Sequence, residues 1–343
     1  MKVGFVSRFS PEKCGIAIYS DNLTRQLKKS GVDIIRIGTD VSDSDYKVDF
    51  RSLNLDKKLK EIVKKESLKL MHFQYIASYF GKYSLNLGFI RALNTEIPSI
   101  VTLHEVQYDV SRLRTKILAG IEKHIIRHSD KVIVHTPNQK VFLDKKYRLA
   151  PGKTANIFMG LSLNKGHKKR NSNILFFGIL NKRKGIEHLI KAADFLSHYK
   201  MKIYGNSIDS NYTDFLRRET IRQKNIELNF NWITERKKKS LFEWADVVVL
   251  PYTWASYQSA VLHDAFSYGL PVVVTRIGAI WEIVDAFKCG EIVETNEKSI
   301  AKGIENVLNN YQFYKNGVRE YQKRANWTEV AKEHKKLYYD MVK

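Results

Sequence analysis

Residues 250–275 read Leu250-Pro-Tyr-Thr-Trp-Ala-Ser-Tyr-Gln-Ser-Ala-Val-Leu-His-Asp-Ala-Phe-Ser-Tyr-Gly-Leu-Pro-Val-Val-Val-Thr275. An apolar run stands at each end, Val247 to Leu250 and Val272 to Thr275. Valine dominates both, as suits strands buried on both faces of a parallel sheet. Between them lie a polar loop, a helical stretch Ala260 to Tyr268, and Gly269 with Pro271 as stop signals. Strand, loop, helix, turn and strand make one βαβ unit. In open sheets of such units, ligands bind at the loops beyond the carboxyl ends of the strands. Gln258 and Ser259 stand just before the helix, where amides and side chains can receive a phosphate. Asp264, in the first turns, offers a carboxylate to a ribose diol, and a buried helical Asp with neither ligand nor partner is costly.

The same alternation extends in both directions. Upstream, strands are expected at Val3–Val6, Val32–Ile37, Leu68–Phe73, Ser99–Leu103 and Lys131–His135. Helices are expected at Ile18–Ser30, Leu53–Lys65, Leu85–Leu93, Arg114–His128 and Gln139–Lys145. The charged, turn-rich stretch from Lys165 to Asn173 breaks the pattern and reads as a linker. Strands then resume at Ile174–Phe177, Lys202–Tyr204, Ile226–Phe230 and the two valine-rich runs, ending with a short one at Ile292 and Val293. The expectation is an α/β chain of two Rossmann-like, doubly wound parallel-sheet domains, 1–164 and 171–325, facing a central cleft, with a final helix in 326–343.

Three further loops follow strands. Cys14-Gly15-Ile16 opens the first helix, and Gly15 there lets a ligand approach the amides; the G-x-G-x-x-G dinucleotide pattern is absent. His104 ends the strand Ser99–Leu103, with His72 as a competitor for the same role of hydrogen-bonding a hydroxyl or steadying developing charge. Lys182-Arg183-Lys184-Gly185 puts three cations before a glycine that opens a helix, a pattern suited to a diphosphate.

Composition narrows the partners. The 343 residues carry a formal net charge of +22, which attracts anions. Hydrophobic residues at 43% supply real cores. No nucleic-acid module is recognisable, so no nucleic-acid partner is expected. Cys14 and Cys289 make no metal cluster, and free thiols suit a reducing compartment. The chain opens on a strand, without a signal-peptide core, and no run approaches the length needed to span a bilayer. A cytoplasmic protein is expected, in contact with membrane at most peripherally. Lys57, Lys58, Lys60, Lys64 and Lys65 accompany Leu55, Leu59, Ile62 and Val63 in one basic helix, which can lie on an anionic membrane near a lipid-linked acceptor. Asp43-Ser44-Asp45 has metal-type spacing but reads as a turn, so no metal is expected.

Taken in order, these motifs resemble the GT-B glycosyltransferases, in particular glycosyltransferase family 4. The likeness runs through Gly15, Thr102-Leu-His104, Ser129 to Val134, Gly178 with Lys184-Gly185, Ala245 to Pro251, Asp264 to Val274, and the helix of Trp327. The resemblance implies retaining, metal-independent transfer of a hexosyl unit from a nucleotide-sugar donor to a glycan or lipid-linked acceptor, as in glycan biosynthesis. It implies that Lys184 binds the donor diphosphate and His104 contacts the transferred sugar. Gln258 and Ser259 would form the diphosphate loop, Asp264 would hold the ribose, and the region of Ile233 would meet the base. It implies also that the leaving phosphate takes the acceptor proton, so no protein nucleophile is needed. Two positions depart from the family. Ile179 replaces a common Arg, for which Arg183 is the nearest substitute, and Ser256 replaces the first of two glutamates whose second is Asp264. These departures motivate a competing expectation, a catalytically degenerate GT-B protein serving as a binding or partner subunit.

Overall fold

The computed structural model describes residues 1–81, 86–94, 96–108, 110–164, 170–207, 209–255 and 259–342. They form two units, residues 161–324 and a discontinuous unit of residues 1–160 with 325–343.

The discontinuous unit holds strands β1 (Lys2–Val6), β2 (Asp33–Gly38), β3 (Tyr46–Lys47), β4 (Leu70–Tyr75), β5 (Ser99–Leu103), β6 (Lys131–Val134) and β7 (Thr154–Asn156). All pair in parallel, in the spatial order β3-β2-β1-β4-β5-β6-β7. The winding reverses between β1 and β4, where Val3 lies between Ile34 and Leu70. Successive side chains on a strand point to opposite faces, so a strand covered on both sides must be apolar throughout. Phe5 and Leu70 accordingly enter one core with Leu23, Ile100 and Ile133. Their neighbours Val6 and Met71 enter the other, with Phe73, Phe80 and Phe89.

The helix Trp327–Val342 packs on the helix Gly15–Lys29 and adds Val330, Ala331 and Tyr338 to the core of Phe5. Trp327 comes so close to Gly160 that a Cβ there would lie 2.2 Å from the indole ring. The basic helix of the sequence reading is Leu55–Glu66, and its apolar side, Leu55, Leu59 and Ile62, belongs to the core. Its lysines face solvent, as on an ordinary solvated helix face, and its apolar side is taken up by the core.

The second unit repeats the winding. Strands β8 (Ile174–Phe177), β9 (Met201–Tyr204), β10 (Ile226–Asn229), β11 (Val247–Leu250), β12 (Val272–Thr275) and β13 (Gly290–Val293) lie in the order β10-β9-β8-β11-β12-β13, all parallel. The reversal falls between β8 and β11. The expected pair of parallel α/β sheets is therefore present. Helices at Ile280–Phe287 and Tyr311–Ala325 join those expected from the sequence. Residues 165–169 of the expected linker lie outside the described residues. Among the described residues no helix is long and apolar enough to cross a membrane.

Candidate functional site

In the second unit three strand-end loops meet at Tyr252. After β8 the chain passes through Gly178 (φ +132°) and Asn181, whose side-chain oxygen accepts the Arg183 amide at 3.1 Å and caps the short 3-10 turn Lys182–Lys184. Gly185 follows in the left-handed region, at φ +60°, and a Cβ there would stand 2.1 Å from the Pro251 carbonyl oxygen. Only glycine fits that turn. The turn is strapped to the loop after β11, because the Arg183 carbonyl accepts the Thr253 amide at 3.0 Å. The Arg183 guanidinium lies over the Trp254 ring at 4.6 Å. Thr275, ending β12, donates its hydroxyl to the Tyr252 carbonyl.

Lys184 places its ammonium 3.6 Å from the centroid of the Tyr252 ring. Burial pushes its pKa down to about 8. Among the described residues no carboxylate pairs with it. A partly desolvated ammonium resting on an aromatic face, unneutralised, is a site for an anion. The Tyr252 hydroxyl meets Ser259 Oγ at 2.9 Å. Among the described residues no side chain caps the helix Ala260–Ser267. The Leu262 amide bonds the Ser259 carbonyl at 3.0 Å, and the positive end of the helix, at Ala260 and Val261, suits an anion.

Asp264 lies half-buried on this helix and is held by Lys238 through both carboxylate oxygens, Oδ1 at 2.9 Å and Oδ2 at 2.8 Å. Burial raises its pKa, and the Lys238 ammonium opposes the rise. The sequence reading required a partner or a ligand for this carboxylate and missed Lys238, 26 positions away on the helix Glu235–Trp244. No local sequence pattern marks that pairing. Ile233 lies half-buried in the loop between β10 and that helix, one residue before its cap Thr234. Ser256 and Gln258 lie outside the described residues.

In the discontinuous unit Gly15 opens the helix Gly15–Lys29, with open space where a Cβ would stand and no side-chain cap. His104 is buried, and both of its ring nitrogens have protein partners. Nε2 lies 2.8 Å from the Gln74 amide, and Nδ1 lies 3.2 Å from His135 Nε2. His135 Nδ1 lies 3.0 Å from the Ile157 carbonyl, which can only accept, so the proton sits on that nitrogen. His135 Nε2 then accepts from His104 Nδ1–H. With both rings neutral, the count closes when the Gln74 amide turns its NH2 toward His104 Nε2; with the oxygen there instead, one ring must carry a second proton. Burial pushes the His104 pKa well below its ordinary value and so selects the neutral arrangement. His72, the competitor, is also enclosed, bonded to the Tyr338 hydroxyl at 2.6 Å and Thr102 Oγ1 at 2.7 Å. Asp45 of the Asp-x-Asp segment accepts the Arg36 amide at 2.7 Å, in keeping with a turn.

Comparison with known proteins adds the family. The model of "Glycosyl transferases group 1" matches residues 163–334. An uncharacterised glycosyltransferase of Methanocaldococcus jannaschii is 31% identical over 174 residues, 48% of this chain and 44% of that protein. The chain spans about half the length of the curated relatives it matches. Sucrose-phosphate synthase of Thermosynechococcus elongatus has the same fold, with a TM-score of 0.76 at 19% identity over 99% of this chain and 98% of that one. The Anabaena protein HepE, solved in complex with UDP and glucose, has it too, with a TM-score of 0.68 at 15% identity over 99% of this chain and 100% of that one.

Proposed function

The chain belongs to the glycosyl transferases of group 1, and we propose that it moves a hexosyl unit from a nucleoside-diphosphate sugar to a hydroxyl of a glycan or lipid-linked acceptor, with retention and without a metal. The observation that carries this reading is Lys184, a desolvated cation with no carboxylate partner among the described residues, beside an uncapped helix start.

Departure of a nucleoside diphosphate builds negative charge on its phosphates. Lys184, Arg183 and the first amides of the helix Ala260–Ser267 are fixed positive groups that stabilise that charge without reorganising. On this reading Ser259 and Gln258 flank the diphosphate, Ile233 meets the base, and Asp264 accepts from the ribose hydroxyls while sharing Lys238. Gly15 leaves the first helix open to the donor. His104 meets the transferred sugar by exchanging its Gln74 bond for a sugar hydroxyl. The leaving phosphate oxygen takes the acceptor proton, so the step needs no protein base. The UDP and glucose bound by HepE support the donor class.

A thermal-shift screen against GDP-, UDP-, ADP- and dTDP-sugars tests the proposal. One donor should stabilise the protein, and Lys184→Ala should abolish that shift. Failure of all four to stabilise it would overturn the reading.

A further inference from the structure

We propose that the second unit carries a glycan-binding site apart from the loops that meet at Tyr252: a cavity at the opposite, amino end of its sheet, which holds a neutral oligosaccharide between an exposed aromatic ring and a buried carboxylate. The inference goes beyond the transferase reading and does not depend on it.

The cavity measures about 560 Å3, within the size range of small-molecule sites. Arg170 precedes β8, Ala245 and Asp246 precede β11, and Gly269 and Leu270 precede β12. The loops at Tyr252 follow these same three strands at their other ends. β11 has four residues, so about 13 Å of strand separates the two places. The start of the helix Tyr311–Ala325 and the end of the helix Glu235–Trp244 supply most of the remaining wall.

Asp246 is the residue that points to a ligand. It is only 3% exposed. Its Oδ2 accepts the amides of Asn171 at 3.0 Å and Asn173 at 2.9 Å. Its Oδ1 has no donor among the described residues, although buried carboxylate oxygens are ordinarily bonded. The Tyr311 hydroxyl also has no hydrogen-bond partner among the described residues. Burial, and next the charge of Asp246, push its pKa up to about 12, so it keeps a proton to donate.

The charges of the wall balance. Arg170 and Lys315 lie over the Tyr311 ring, at 4.9 and 5.5 Å, and Arg170 also donates to the Leu308 carbonyl. Among the described residues no carboxylate pairs with either cation. Facing these two cations are two acids, Asp246 and Glu243, of which Glu243 reaches Lys239 at 3.8 Å. The side-chain amides of Asn310 and Gln312 each direct an N–H to their own helices, to the Asn306 carbonyl at 3.1 Å and Asn316 Oδ1 at 2.8 Å, which leaves their oxygens as acceptors. Asn309 adds a further amide. Acids repel a phosphate, and a hydrocarbon would leave Asp246 Oδ1 unpaired. A sugar hydroxyl both donates and accepts, which this wall requires.

The aromatic side fits the same ligand. Phe313 is 60% exposed, and Tyr314 meets it edge-on at 5.1 Å, which fixes the plane of its ring. The negative face of such a ring attracts the C–H groups of a pyranose. Phe242 and Tyr268, stacked at 5.2 Å, form the inner apolar wall. On the transferase reading, a glycan held here stays tethered to the enzyme without occupying the transfer loops, and its free end is concentrated near them.

The test is saturation-transfer NMR of the full chain with maltotriose, mannotriose and chitotriose. At least one should bind, in the millimolar range. Tyr311→Phe should weaken it about fivefold, the effect of one hydrogen bond. Phe313→Ala should weaken it about tenfold. Phe313 is exposed and the Tyr311 hydroxyl bonds nothing among the described residues, so neither melting curve should move. Inorganic phosphate should not displace the sugar. Failure of all three trisaccharides to bind would overturn the inference, as would binding indifferent to both substitutions, displacement by phosphate, or a lower melting temperature for Tyr311→Phe. If a sugar nucleotide stabilises the protein and no trisaccharide binds, only this inference falls. If a trisaccharide binds in the stated pattern and no sugar nucleotide does, the transferase reading falls and the glycan site stands.

Discussion

Replacing Lys184 by Met should stabilise the ligand-free protein while removing its affinity for a nucleoside diphosphate. The ammonium is held at a pKa of about 8 by burial, against an ordinary value of 10.5. Holding a lysine there costs the folded state ~3 kcal/mol at pH 7. The sign follows from the depressed folded value. The unfolded lysine keeps its proton up to about pH 10.5, the folded one only to about 8, so the penalty is full below 8 and fades between 8 and 10.5. At pH 9 about 2 kcal/mol of it remains. Attraction to the Tyr252 face returns up to about 1 kcal/mol in the wild type. A methionine of similar length keeps contact with that ring without needing solvation. Urea unfolding of both proteins should therefore show Lys184→Met more stable by about 2–3 kcal/mol at pH 7, with a gap smaller by about 1 kcal/mol at pH 9. A variant less stable than wild type at pH 7, or a gap independent of pH, would refute the picture of an unneutralised cation. Donor affinity of the wild type should fall as pH rises above 8, since only the protonated form attracts the diphosphate.

Three further outcomes follow from the same geometry. Gly185→Ala should lower stability by about 2 kcal/mol or more in urea unfolding, because the left-handed turn and the Pro251 carbonyl both exclude a Cβ. Lys238→Met should leave the Asp264 carboxylate without its opposing charge and push its pKa further up. Donor affinity, measured by calorimetry, should then fall between pH 7 and pH 5 more steeply than in the wild type. Burial holds His72 and His104 well below the ordinary imidazole range and His334 at about 4. The unfolded chain takes protons that the folded one refuses below pH 6.5, so stability is full above 6.5 and drops as pH falls toward 4, by up to ~4 kcal/mol per pH unit. Urea midpoints across that range measure the slope.

The strands that fix the architecture were legible because burial on both faces writes itself as an unbroken apolar run. Ser99–Leu103, Ile174–Phe177, Val247–Leu250 and Val272–Thr275 stand where the sequence places them. The edge strands Tyr46–Lys47 and Thr154–Asn156 left no such trace; they are two and three residues long and partly solvent-facing. The helix Tyr311–Ala325 was missed because its tyrosines and charges hide an apolar side that includes Val318 and Tyr321. At the site, Lys184 and Ser259 were visible because a loop between strand and helix has a known place in the fold. Their junction at Tyr252 was not, since it depends on three loops meeting in space. The enclosure of His104 was equally hidden. Gln74 and His135 come from the neighbouring strand β4 and the end of β6, 30 and 31 positions away.

The return of the chain to its first unit at Ala325 has a consequence for synthesis on the ribosome. β4 and the helix Gly15–Lys29 are translated before the second unit, yet the residues that seal them, Val330, Ala331 and Tyr338, come only after it. His72 waits for the Tyr338 hydroxyl through 266 residues of elongation. At about 5–20 residues per second, that delay is some 13–50 seconds. The second unit, continuous from 161 to 324, has its whole sequence out of the tunnel before the first can close. Synthesis of the first unit is thus interrupted by the whole of the second, and a nascent chain halted before the helix Trp327–Val342 should show a protease-sensitive first unit beside a protected second one.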